Sequence, residues 1–104
     1  MKSITSNKQF NAIVASGRPF VLDFYADWCG PCQALLPTVE KLADEFSDSV
    51  DVYKINIDEQ RDLAAKFQVR SIPSLFFMES NKIKDSLKGM ASEHQLRKKI
   101  KALA

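Results

Sequence analysis

The chain has 104 residues, 45% of them hydrophobic, which is enough to bury one core without staples, so residues 1–104 read as a single domain. Against 13 Asp and Glu stand 15 Lys and Arg, and a net charge of +2 gives no basis for nucleic-acid binding. No stretch approaches the ~20 apolar residues of a membrane span, and Met1 to Lys8 lacks the ~7–15-residue apolar core of a secretory signal, so a reducing intracellular compartment is expected. A short strand is expected near Ser3 to Thr5. Ser6 and Gln9 then have the spacing of a capping box and open a helix bearing Phe10, Ile13 and Val14.

Phe20-Val21-Leu22-Asp23-Phe24-Tyr25-Ala26 is a nearly continuous apolar run, the pattern of a central strand covered on both faces, with Asp23 as its anomaly. After Cys29 the period changes: Leu35, Val39, Leu42 and Phe46 fall on one face of a helix. Pro31 suits its first turn, where a missing N–H costs nothing. Pro37 lies inside the pattern, where proline costs ~3 kcal/mol, and a kinked helix is expected there.

Val50 to Ile57 is a β-branched-rich strand, and Leu63, Ala64 and Phe67 mark a short helix after it. Ser74 to Met78 and Ile83 to Leu87 read as two strands joined by a tight turn at Ser80-Asn81, because Asn tolerates positive φ. Ser92 and Gln95 open a last helix carrying Leu96, Ile100 and Leu103. Arg97, Lys98, Lys99 and Lys101 fall in its later turns, where cations suit the helix dipole, and read as a solvated face. The order β-α-β-α-β-α-β-β-α predicts an α/β fold, a central mixed sheet flanked by helices on both faces.

The chain's two cysteines, Cys29 and Cys32, allow a zinc half-site or a redox dithiol. A structural zinc site needs four ligands, and beyond this pair the sequence offers only His94, so no metal is expected. The pair also falls where a central strand gives way to a helix, the edge at which open α/β sheets place their sites. Unsatisfied N–H groups and the positive dipole end there favour a Cys29 thiolate. Cys32, one turn further in, is expected to be more buried and less acidic.

Trp28-Cys29-Gly30-Pro31-Cys32 closely resembles the active-site signature of thioredoxins. The resemblance extends through Val21 to Ala26, Leu36-Pro37, Lys54 to Asp58, Val69 to Ser74 and Gly89, nearly the whole chain. It implies the thioredoxin fold and a protein dithiol/disulfide oxidoreductase with no bound cofactor, a reversible Cys29–Cys32 disulfide and indirect use of NADPH through thioredoxin reductase. Gly30-Pro31 between the cysteines goes with a reducing member. The resemblance further implies protein substrates such as ribonucleotide reductase, peroxiredoxins and methionine sulfoxide reductases, a cytoplasmic location, no membrane and a monomer.

By the same resemblance Cys29 attacks a substrate disulfide and Cys32 resolves the mixed disulfide. Asp23 corresponds to a buried carboxylate that takes the Cys32 proton through water, and Lys54 to the lysine near it. A structural ion pair is the alternative for these two. Ile72-Pro73 corresponds to the family's cis-proline, and Trp28, Gly30, Pro31, Ile72 and Gly89 to its docking surface, although Trp28 could instead be a packing residue. Tyr25, Gln33 and Ser71 depart from the family pattern, at Trp, at Lys or Arg, and at Gly; they bear on partner choice rather than on the sulfurs.

Acidity at Cys29 gains less than its placement suggests. Moving a thiol from ~8.5 to the general thioredoxin value of ~7 raises the thiolate fraction at pH 7 about 16-fold. A Brønsted slope of ~0.45 takes back about 5-fold in nucleophilicity, leaving only ~3-fold in rate. The placement therefore selects which cysteine attacks and eases its later departure. An oxidase or isomerase on the same fold, and a scaffold with incidental cysteines, remain as alternatives.

Overall fold

The computed structural model describes residues 1–104. In chain order the elements are β1 (Lys2–Ser3), α1 (Asn7–Ala15), β2 (Phe20–Tyr25), α2 (Gly30–Glu45), β3 (Asp51–Asn56), α3 (Arg61–Lys66), β4 (Ser74–Glu79), β5 (Lys82–Lys88) and α4 (Glu93–Leu103). They form a five-stranded sheet in the order β1-β3-β2-β4-β5, with β2 at its centre. β3 pairs in parallel with β1 and β2, while β4 runs antiparallel to β2 and β5, so the sheet is mixed as the element order predicts.

Alternation along β2 divides the core in two. Phe20, Leu22 and Phe24 point to one face, where they meet Phe10 and Ile13 of α1, Leu63 of α3, Ile55, Phe76 and Met78. Val21 points to the other, with Leu35, Val39 and Leu42 of α2, Leu96 and Ile100 of α4, Leu75 and Phe77. Each fully buried Leu or Phe contributes roughly 1.5–3 kcal/mol, so these two layers hold the sheet and helices together. Rings on the first face meet edge to face, Phe24 with Phe76 at 5.6 Å and 87° and Phe10 with Phe67 at 5.8 Å and 88°.

Local chemistry departs from the sequence reading in two places. At α1 the Ser6 hydroxyl accepts the Gln9 N–H at 3.0 Å, but Gln9 Oε1 takes the Thr5 N–H at 2.8 Å, so the box closes one residue early. At α4 both halves form, Gln95 N–H to Ser92 Oγ and Ser92 N–H to Gln95 Oε1. In the β4–β5 turn it is Ser80, with φ +52, that adopts the left-handed conformation expected of Asn81. α2 runs continuously from Gly30 to Glu45 with Pro37 inside it. Two of the four basic residues expected on α4 are paired with acids, Arg97 with Glu45 at 2.8 Å and Glu93 at 3.0 Å and Lys99 with Asp85, while Lys98 and Lys101 are exposed as a solvated face. No helix is long and apolar enough to cross a membrane.

Candidate active site

Central strand β2 ends at Tyr25, and the chain turns through Ala26-Asp27-Trp28, with the Cys29 N–H on the Ala26 carbonyl at 3.1 Å. Cys29 is the N-cap of α2: its backbone is extended at φ −90 and ψ 106, and Gly30 and Pro31 begin the helix. Caps are ordinarily oxygens that satisfy an orphan N–H of the first turn. Here the acceptor is sulfur, since Cys29 Sγ receives the Cys32 N–H at 3.2 Å. The two sulfurs are joined as a disulfide.

Cys32 is the more buried of the two as expected, at 3% exposed against 5% for Cys29, but the difference is small and both are buried in the disulfide form. Ala26, Tyr25, Ile57 and Ile72 pack into one apolar cluster with the two cysteines. The asymmetry between the cysteines lies in backbone position, one at the helix cap and the other inside its first turn.

Segments distant in sequence complete the rim. The Ile72 carbonyl oxygen lies 3.9 Å from Cys29 Sγ, and the Ile72–Pro73 bond is cis. The Gly89 N–H donates to the Pro73 carbonyl at 2.8 Å, and Gly89 has φ +82, a conformation that disfavours any side chain. A Cβ at Gly30 would meet nothing within 4 Å, so its bareness serves the outer surface rather than internal packing. Trp28 is 70% exposed, which removes the packing alternative, and its indole Nε1–H donates to Asp58 Oδ2 at 2.8 Å. Five surface clefts, of roughly 180–340 Å³, are lined by neither cysteine.

Asp23 lies on the sheet face that α2 covers, 1% exposed, and its Oδ1 has no hydrogen-bond partner. Burial pushes its carboxyl up from 3.8 to about 7, and the charge of Lys54 pulls the other way. Lys54 is the register partner of Asp23 across β2 and β3, yet no salt bridge joins the two. The Lys54 ammonium instead lies 5.6 Å from the centroid of the Tyr25 ring. The ion-pair alternative for Asp23 and Lys54 therefore fails at the level of direct contact, and the lysine acts on the carboxylate through space.

The three departures fall around this centre: Tyr25 beneath Lys54, Gln33 exposed on α2, and Ser71 holding the Ser74 hydroxyl with its carbonyl at 2.6 Å. Two residues at the rim were not singled out by sequence. Asp58 was visible only as part of a family segment, although an exposed indole N–H calls for a nearby acceptor. Met90, next to Gly89, carried no sequence signal, because an isolated methionine in a loop fits no periodic pattern.

A helix capped by one cysteine of a disulfide pair, with a cis-proline segment against it, is the geometry of a redox centre, and the family model described as Thioredoxin matches residues 2–102. The chain belongs to the thioredoxin family. As a thioredoxin it is a dithiol/disulfide oxidoreductase that reduces protein disulfides. It is 41% identical over 88 residues to thioredoxin 1 of Chlorobaculum tepidum, a match covering 85% of this chain and 87% of that one. Against the M-type chloroplastic thioredoxin of Pisum sativum it is 36% identical over 88 residues, which span 85% of this chain but only 51% of the longer relative. Fasciola hepatica thioredoxin superposes over 100% of both chains with a TM-score of 0.91 and 33% identity.

Proposed function

We propose that this thioredoxin, one domain over residues 1–104 acting as a monomer, is a general reductant of protein disulfides in the cytoplasm. The observation that carries the reading is the sulfur cap: Cys29 Sγ already accepts a backbone N–H at the positive end of α2, the environment that stabilises the thiolate. In the dithiol state that thiolate attacks one sulfur of a substrate disulfide. The bond between the substrate sulfurs breaks, one substrate thiolate leaves, and Cys29 is held in a mixed disulfide.

Cys32 then gives up its proton and attacks Cys29 Sγ. The second substrate thiolate leaves, and the Cys29–Cys32 disulfide of the structure is the product. Asp23 is the proton acceptor for Cys32, supported by its burial, its unpartnered oxygen and a pKa near 7, with Lys54 tuning its charge. Trp28, Gly30, Pro31, Ile72, Pro73 and Gly89 form the docking face.

Two electrons must return from outside, since the fold carries no reductant. Thioredoxin reductase drawing on NADPH is the donor we propose, and ribonucleotide reductase, peroxiredoxins and methionine sulfoxide reductases are the substrates. Thiol pools that keep such a dithiol reduced support the cytoplasmic assignment. The purified protein is expected to catalyse insulin reduction by dithiothreitol, and Cys32→Ser to accumulate substrates bound to Cys29. Absence of catalysis, with no adducts on the variant, would sink the reading.

A further inference from the structure

The chain has five sulfur atoms, two in cysteines and three in methionines, and the fold protects them very unequally. Cys29 and Cys32 are bonded to each other and buried, Met78 is 2% exposed within the core, and Met1 is half-buried. Met90 is 58% exposed. It is one of only three large hydrophobic side chains left in solvent, with Trp28 and Ile83, and Trp28 borders the disulfide.

Backbone contacts put Met90 at the same rim. It follows Gly89, whose N–H is bonded to the Pro73 carbonyl, and the preceding Ile72 carbonyl touches Cys29 Sγ. One trans peptide, about 3.8 Å between Cα atoms, separates Met90 from that contact chain. An exposed thioether is flexible and adaptable at a binding surface, and it is also a sulfur that peroxides oxidise.

We propose that Met90 is an oxidative modification site that weakens substrate docking once the cysteines have already closed. Peroxide transfers one oxygen atom to the Met90 sulfur, which is oxidised by two electrons to the sulfoxide, and the peroxide is reduced to water or an alcohol. The disulfide form accumulates under the same conditions, and in it Met90 is the most exposed sulfur-bearing residue. The sulfoxide places a strong polar acceptor in an apolar rim, so a protein substrate must desolvate it to dock. Small thiols need no such contact and still reach the disulfide. The effect on turnover rests on the docking reading above, whereas the site of oxidation does not.

Hydrogen peroxide is added to the disulfide form, the modified residue is mapped by peptide mass, and insulin reduction is compared with direct reduction of the Cys29–Cys32 disulfide by dithiothreitol. The first +16 Da is expected at Met90, with KM for insulin raised roughly threefold or more and the dithiothreitol rate unchanged. Met90→Leu, compared with its own untreated sample, should show no rise. A first oxidation at Met1, an unchanged KM in fully Met90-oxidised protein, or an equal rise in Met90→Leu each overturns the proposal. Untreated protein that fails to reduce insulin overturns the docking reading instead, while the peptide map still decides the modification site.

Discussion

On one face of β2, Phe20, Leu22 and Phe24 close against aromatic rings from α1, β4 and the end of α3, and the buried hydroxyl of Ser74 there is satisfied by the Ser71 carbonyl. On the other, between Val21 and Tyr25, Asp23 is buried beneath α2 with an oxygen that bonds to nothing. Both faces exclude water equally well. Both convert that exclusion into stability through their apolar clusters, and the second also raises a carboxyl to titrate near neutral pH. Alternation along a single strand therefore confines the buried carboxyl to one of two packed faces.

The largest effect expected from breaking this comparison is on the aromatic side. Phe24→Ala removes a fully buried ring and should cost about 3–5 kcal/mol in urea unfolding of the disulfide form, with disulfide exchange by the folded fraction retained. A loss below about 1 kcal/mol would mean that this face does not carry the stability assigned to it.

Asp23→Asn is expected to act in the opposite direction. The unfolded carboxyl ionises near 3.8 and the folded one near 7, so between those values the folded state holds the extra proton and stability falls as pH rises. The gap corresponds to about 4 kcal/mol, fully lost above pH 7. Unfolding at pH 8 should therefore show the Asn variant more stable by up to about 4 kcal/mol, with the two proteins converging below pH 4. A constant difference across that range would contradict a carboxyl held neutral by burial.

A smaller effect sharpens the boundary between the buried site and its rim. Asp58→Ala removes the acceptor of the Trp28 indole, an exposed hydrogen bond worth about 1 kcal/mol or less. Because Trp28 is the chain's one tryptophan, its fluorescence should report the release while the unfolding midpoint barely moves. KM for a protein disulfide should rise with the dithiothreitol rate unchanged. A change in the dithiothreitol rate would instead place Asp58 in the chemistry at sulfur.

Much of this was legible from sequence because it follows from local periodicity. The run from Phe20 to Ala26 marks a doubly covered strand, Asp23 stands out against it, and the spacing of Leu35, Val39 and Leu42 gives the helix that Cys29 caps. Contacts that depend on remote backbone were not legible from the residues themselves. Ile72 meets Cys29, and Gly89 meets Pro73 beside it, through the antiparallel placement of β4 and β5, and their place came from family resemblance. Asp58 and Met90 illustrate the same limit, since each matters for what lies beside it rather than for a pattern it belongs to. The near-complete burial of Cys29 was likewise not legible locally, because Ile72 arrives from far along the chain against it.

The pH dependence of mixed-disulfide resolution tests the central claim most directly. With a substrate preloaded on Cys29, the rate of Cys32 attack in the native sequence should rise through about pH 7 as Asp23 becomes a base, and Asp23→Asn should be slower and lack that step. Identical rates and identical pH profiles in the two proteins would contradict the account and leave Asp23 as a buried charge without a part in the chemistry.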